Sequence, residues 1–252
     1  MNKKTAFITG GSTRLGREIS LALASMGFDI VFSYHSSKAE SIETCREIES
    51  LGVQAHAFYA NLEQVEEQLD FYREIFERYK ISIVINNAGI FERDVFKSDQ
   101  SSLQKHLNVN FYPAYWFTKL LTQMNIENGS VINIIDAKIA YPDGDFVDYI
   151  LSKATLEYFT RLSATLVAPN IRVNSISPGA VLPPTNADAS SINNPLKNVP
   201  LDKFGSASAI ASAVKYLVEN EFVSGTNMMV DGGASVFGFH SKELGGYSCT
   251  FL

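Results

Sequence analysis

The chain of 252 residues has two cysteines, four histidines and one tryptophan, and each scarcity removes a class of protein. Cys45 falls in an apolar-periodic stretch and Cys249 near the end, so neither a disulfide framework nor a thiolate metal site can be built from them. The histidines, His35, His56, His106 and His240, are scattered, and no metal is expected. Basic residues are outnumbered, 21 Lys and Arg against 27 Asp and Glu, which gives a net charge of −6. That balance lacks the basic footprint of a nucleic-acid or anionic-membrane surface. Long apolar runs are missing too. Lys3-Lys4 precedes only the short run Thr5–Thr9, too brief for a signal-peptide core, and no transmembrane-length segment follows. The expectation is a cytoplasmic protein whose partners are small molecules.

With 46% hydrophobic residues, the chain can fill the core of one large domain spanning 1–252. Short apolar runs alternate with longer helical patterns. Strands are expected at Thr5–Thr9, Asp29–Tyr34, Gln54–Tyr59, Ile83–Asn86, Val131–Ile135, Arg172–Ile176 and Asn227–Val230. Helices are expected at Leu15–Met26, Ala39–Leu51, Gln64–Tyr79, Leu103–Gln123, Asp148–Val167 and Ala207–Val218. This alternation is the mark of βαβ units, hence an α/β fold: a doubly wound, Rossmann-like parallel sheet of seven strands flanked by helices, with ligands at the strand C-termini. Five of the eight prolines lie between Pro178 and Pro200. The loop 179–203 reads as a substrate lid or a surface excursion. The tail 238–252 carries Phe239, Tyr247, Phe251 and Leu252 and reads as an interface segment or a frayed end.

Three residues bear on chemistry. If Asp148–Ala168 is helical, Tyr149 and Lys153 share one face, one turn apart. An ammonium near a phenol favours the phenolate and is expected to lower the tyrosine pKa, making it a workable general acid. Asp136 ends the apolar run Val131–Ile135 just upstream. By itself the Tyr/Lys pair is also what an ordinary amphipathic helix carries by chance. At the N-terminus, Thr5–Thr9 runs into Gly10-Gly11-Ser12-Thr13-Arg14-Leu15-Gly16 and then a helical pattern. A strand, glycine turn and helix in that order let backbone amides approach a pyrophosphate.

Together with Asn86-Asn87-Ala88-Gly89, Asn110 and Ser177-Pro178-Gly179, this order of motifs resembles the short-chain dehydrogenase/reductase family over about residues 4 to 236. The resemblance implies a nicotinamide cofactor and a catalytic set of Asn110, Tyr149 and Lys153, with Lys153 on the ribose and Asn110 anchoring a water relay. It implies cofactor contacts from Gly10, Arg14, Leu15 and Gly16 of the turn. Further contacts are expected from Tyr34, His35, Ser36 and Ser37 after the second strand, and from Asn61 and Leu62 after the third. The last come from Asn87, Ala88 and Gly89, from Lys153, and from Pro178 and Gly179. The turn Tyr34-His35-Ser36-Ser37-Lys38 offers no carboxylate for a ribose hydroxyl but offers imidazole, two hydroxyls and a lysine, with Arg14 nearby, to a 2′-phosphate, so NADP(H) is expected. Family members are commonly tetramers, which implies a homotetramer.

Two departures from the general family pattern narrow the substrate. Arg14 stands where most members have a glycine, and Asp136 where they have the catalytic serine. With Tyr34-His35, Phe91 and Asp148-Tyr149, these changes resemble the pteridine reductase branch and its bacterial dihydromonapterin reductase relatives. That resemblance implies a pterin or folate substrate bound by Arg14, Phe91, Asp136 and Tyr149, with Phe91 stacked on the pterin. Rival readings are a carbonyl reductase acting on a 3-oxoacyl or sugar substrate, a non-catalytic NADP(H) sensor, and a purely structural oligomer.

Overall fold

The computed structural model describes residues 4–93, 100–142, 144–181 and 199–237. Most of the expected lid and all of the tail 238–252 therefore lie outside the described residues. Seven strands form one parallel sheet: β1 (Thr5–Ile8), β2 (Asp29–Tyr34), β3 (Ala55–Tyr59), β4 (Ile81–Asn86), β5 (Gly129–Ile134), β6 (Ile171–Pro178) and β7 (Asn227–Val230). Their order across the sheet is β3-β2-β1-β4-β5-β6-β7. The chain moves outward one way from β1 and then restarts on its other side with β4. The crevice above β1 and β4 is the switch point at which open α/β sheets bind ligands.

Alternation along each strand builds two cores. Ala6 and Ile8 of β1, with Ile30 and Phe32 of β2, face α1 (Arg14–Ser25), α2 (Lys38–Ser50) and α7 (Ala207–Glu219) through Ile19, Leu23, Ile48, Ile210, Val214 and Leu217. Phe7, Val31, Val84 and Val131 face the opposite side and meet Tyr72 and Phe76 of α3 (Leu69–Tyr79) and Phe117 of α5 (Tyr112–Gln123). Phe7 is the hub there, edge-on to Phe76 at 5.6 Å and to Phe117 at 5.2 Å. Truncating a buried ring of this kind to alanine costs about 3–5 kcal/mol.

Two helices depart from the sequence expectation. Leu103–Gln123 is not one helix but α4 (Gln100–Asn110) and α5, which meet at Phe111 with φ −120°. Pro113, in the first turn of α5, has no N–H to give to the preceding turn and interrupts the ladder. The helix expected over Gln64–Tyr79 starts at Leu69, after 3-10 turns at Leu62–Gln64 and Glu66–Gln68. Asn61 Oδ1 accepts from the Glu63 amide, and this cap winds the chain tightly before α3 begins. The remaining helix, α6 (Val147–Leu166), carries the Tyr/Lys pair. Among the described residues, no helix is long and apolar enough to cross a membrane.

Candidate active site

The turn after β1 is shaped by what its glycines leave out. A Cβ on Gly16 would lie 2.0 Å from the Gly10 carbonyl oxygen, and one on Gly11 would lie 2.5 Å from the Phe32 Cβ, so neither position tolerates a side chain. Gly10 has φ +64°, which glycine adopts freely. Arg14, at φ +50°, adopts the left-handed region without that freedom, at the first residue of α1. The crevice is bolted across the switch point. Thr9 Oγ1 accepts from the amides of Asn87 and Ala88, both at 2.9 Å, and Asn87 Nδ2 donates back to the Thr9 carbonyl at 3.0 Å.

The second wall comes from the end of β2. Gly11 N donates to Ser33 O, and the hydroxyls of Ser12 and Ser37 are 2.6 Å apart, which joins the glycine turn to the turn Tyr34–Ser37. His35 stacks on Tyr59 at 5.7 Å, and Tyr34 meets the same ring edge-on at 6.4 Å. Asn61 is bound to its own 3-10 turn, whereas the Leu62 side chain is buried in the core. Leu15 is partly buried and packs against the core. Pro178 ends β6, and Gly179 lies so close to Asp231 that a Cβ there would meet its Cα at 2.6 Å.

Asp136, Tyr149, Lys153 and Asn110 come together at the C-terminal ends of β4 and β5. Asp136 caps a 3-10 turn (Ala137–Ile139), its Oδ1 accepting from Lys138 N at 2.8 Å, and this aims Oδ2 at α6. There the Tyr149 hydroxyl donates to Oδ2 at 2.7 Å. Lys153 Nζ donates to the Ile134 carbonyl at 2.9 Å. A Cβ on Gly89 would lie 3.0 Å from Asn110 Oδ1 and 3.3 Å from Lys153 Nζ, so the absence of a side chain there lets the backbone at the end of the crevice lie directly against both groups. Asn110 is held by three hydrogen bonds. Its Oδ1 accepts from Ile90 N at 2.8 Å, and its Nδ2 donates to Ile90 O at 3.1 Å and to Ser152 Oγ at 2.9 Å.

Over residues 12–235 the chain matches the family model described as enoyl-(acyl carrier protein) reductase. The chain belongs to the short-chain dehydrogenase/reductase family. It is 30% identical to the L-rhamnose 1-dehydrogenase (NADP(+)) of Thermoplasma acidophilum, covering 91% of this chain and 95% of that protein. It is 26% identical to the 3-oxoacyl-[acyl-carrier-protein] reductase FabG of Staphylococcus epidermidis, covering 91% and 98%. Among solved structures, FolM alternative dihydrofolate reductase 1 from Brucella canis, complexed with NADP, superposes with a TM-score of 0.85 at 26% identity, over 96% of this chain and 98% of that one.

The electrostatics of this short-chain dehydrogenase/reductase correct one expectation. The Tyr149 pKa is not lowered but raised well above 10, first by burial and then by the Asp136 carboxylate that accepts its proton. Lys153 does not offset this, because Nζ is turned to the Ile134 carbonyl and stands 6.0 Å from the phenol ring. Burial drives the Lys153 ammonium down to about 8, against the pull of Asp136. Burial also raises Asp136, while the Lys138 amide, the Tyr149 hydroxyl and the lysines hold it back. Asp136 and Tyr149 are thus two neighbouring groups that resist ionisation, joined by one hydrogen bond in which the phenol is the donor.

Three residues of the site escaped sequence reasoning. Phe146 stacks on Phe91 at 4.4 Å and 12°, so the ring expected to meet a ligand has one face taken by a protein side chain. Tyr141 stands close enough to Asp136 and Asp231 to have its phenol held up at about 12, mainly by burial and then by those carboxylates. Ser152 links Asn110 to α6. The spacing Tyr149, Ser152, Lys153 on one helix was a signal for the last; the other two depend on how the turn between β5 and α6 folds back.

Proposed function

We propose that this chain is an NADPH-dependent reductase of a dihydropterin, adding hydride to a ring C=N bond. The observation that carries the reading is the Asp136 carboxylate bonded to Tyr149, at the place where most family members have a serine hydroxyl. A ketone needs a hydroxyl to polarise its oxygen, whereas an imine nitrogen must be protonated as hydride arrives. A buried carboxyl with a raised pKa, coupled to a phenol, suits the second task.

The cofactor is NADP(H). Glycine at 10 and 16 lets the turn close tightly onto itself and the start of α1, the form that offers backbone amides to a pyrophosphate, Gly89 lies against Lys153, and no carboxylate stands in the turn Tyr34–Ser37. When bound, NADPH supplies the hydride. Arg14, Ser36, Ser37 and His35 hold the phosphate end, and Asn87, Ala88 and Gly89 line the crevice. Lys153 binds the ribose. Tyr149 and Asp136 hold the proton and give it to the substrate nitrogen. Phe91, 45% exposed, is the apolar face against which the pterin lies, with Arg14 at its edge.

A homotetramer is proposed for the assembly. Leu151, Tyr158, Leu162 and Leu166 are exposed along one face of α6, more apolar surface than a solitary helix face usually leaves in water. A second reading, reduction of a carbonyl compound, draws on the same Tyr149 and on the 3-oxoacyl and sugar activities named for two relatives. NADPH consumption with dihydropterins, dihydrofolate, a 3-oxoacyl thioester and sugar lactones or ketoses separates the two readings. NADPH binding without turnover of any substrate would replace both with a sensor.

A further inference from the structure

One buried titratable side chain stands against the catalytic phenol without a part in this chemistry. His106 lies on α4, one turn before Asn110, and is completely buried. Its Nδ1 is 2.9 Å from the Ser102 carbonyl oxygen. A carbonyl only accepts, so Nδ1 carries a proton and Nε2 is the ring nitrogen left over for a second partner. Nε2 is buried and meets no donor among the described residues. The ring centroid is 6.3 Å from that of Tyr149, with the planes 70° apart. Phe91 meets the same phenol at 4.7 Å and 82°. Tyr149 is thus held between two rings, one exposed at the cleft and one locked in the interior.

Burying a polar ring nitrogen without a partner is costly, and a phenyl or aliphatic side chain would fill the same space between α4 and α6 without that cost. Such a local conflict is retained where it serves the site. The geometry points to His106 as a positioning residue for Tyr149. The Ser102 tether fixes the imidazole plane, and the imidazole fixes the rotation of the phenol so that its hydroxyl stays on Asp136 Oδ2. This rests on the reading of Tyr149 as the proton donor.

A double-mutant cycle tests it, using whichever compound the parent enzyme reduces and NADPH. Tyr149→Phe alone comes first; parent-like turnover in that variant ends the reading of Tyr149 itself, before His106 is scored. With that control in place, His106→Phe is expected to hold or raise Tm, leave KM for NADPH unchanged and lower kcat about tenfold. In the Tyr149→Phe background the same change is expected to do nothing further, because His106 acts only through the phenol. His106→Leu carries the same expectations where the larger ring disturbs folding. Turnover within twofold of the parent, an equal loss repeated in the Tyr149→Phe background, or a fall in Tm with a rise in KM would each overturn the proposal.

Discussion

Tyr149 and Asp136 share one hydrogen bond of 2.7 Å, and it binds their fates as acids together: the carboxylate holds the phenol proton on, and the phenol eases the carboxylate's charge. Tyr149→Phe leaves the packing and removes the donor. Turnover is expected to fall by roughly the 10²–10⁴-fold that losing a general acid costs, with NADPH affinity little changed. Steady-state kinetics and a cofactor titration check this.

Asp136→Ser exchanges the carboxyl for a hydroxyl that reaches Tyr149 less far. Dihydropterin turnover is expected to fall by about 10²-fold or more, while any activity on carbonyl compounds is retained or gained. Parallel assays of the two substrate classes with one enzyme preparation read the ratio.

Lys153 gives a pH signature. Its folded pKa, about 8, lies below the ordinary 10.5, so between those values the unfolded chain binds more protons than the folded one. Stability from this group therefore rises with pH through that window and is lowest below it. Lys153→Met removes the buried ammonium. The Tm difference between variant and parent, measured without cofactor, is expected to favour the variant most near pH 7 and to narrow by pH 10. A gap constant across that range would contradict the burial of a charged Lys153.

The glycine turn offers opposite effects at two positions. Gly16→Ala would drive a Cβ into the Gly10 carbonyl oxygen and is expected to abolish NADPH binding or folding. Arg14→Gly relieves the left-handed backbone and is expected to add about 1 kcal/mol of stability. The same change removes the guanidinium and so raises KM for NADPH and substrate. Thermal unfolding and titration on the two variants separate strain from recognition.

NADPH is expected to bind roughly ten- to a hundredfold more tightly than NADH, the worth of one or two charge-assisted contacts. Ser36→Asp places a carboxylate where the 2′-phosphate is expected and should shrink or invert that ratio. Fluorescence titration with both nucleotides measures it.

The sheet was legible because each strand is a short apolar run closed by turn residues, and period-two alternation in β1 sends Ala6 and Ile8 one way and Phe7 the other. The division of α4 from α5 was signalled by Pro113 and overridden by the unbroken apolar pattern around it. Spacing brought Tyr149 and Lys153 together, since one helix fixes both. It could not give the direction of their pKa shifts, which depends on burial and on where Lys153 Nζ points. Nor could it reveal Phe146 on Phe91 or His106 behind Tyr149, because those contacts join segments far apart in sequence.

The most direct measurement of the central claim is NADPH oxidation by the purified enzyme with a dihydropterin beside a 3-oxoacyl thioester. The account predicts turnover of the dihydropterin that Asp136→Ser lowers by about 10²-fold or more. Turnover of the thioester alone, unaffected by that substitution, would contradict it.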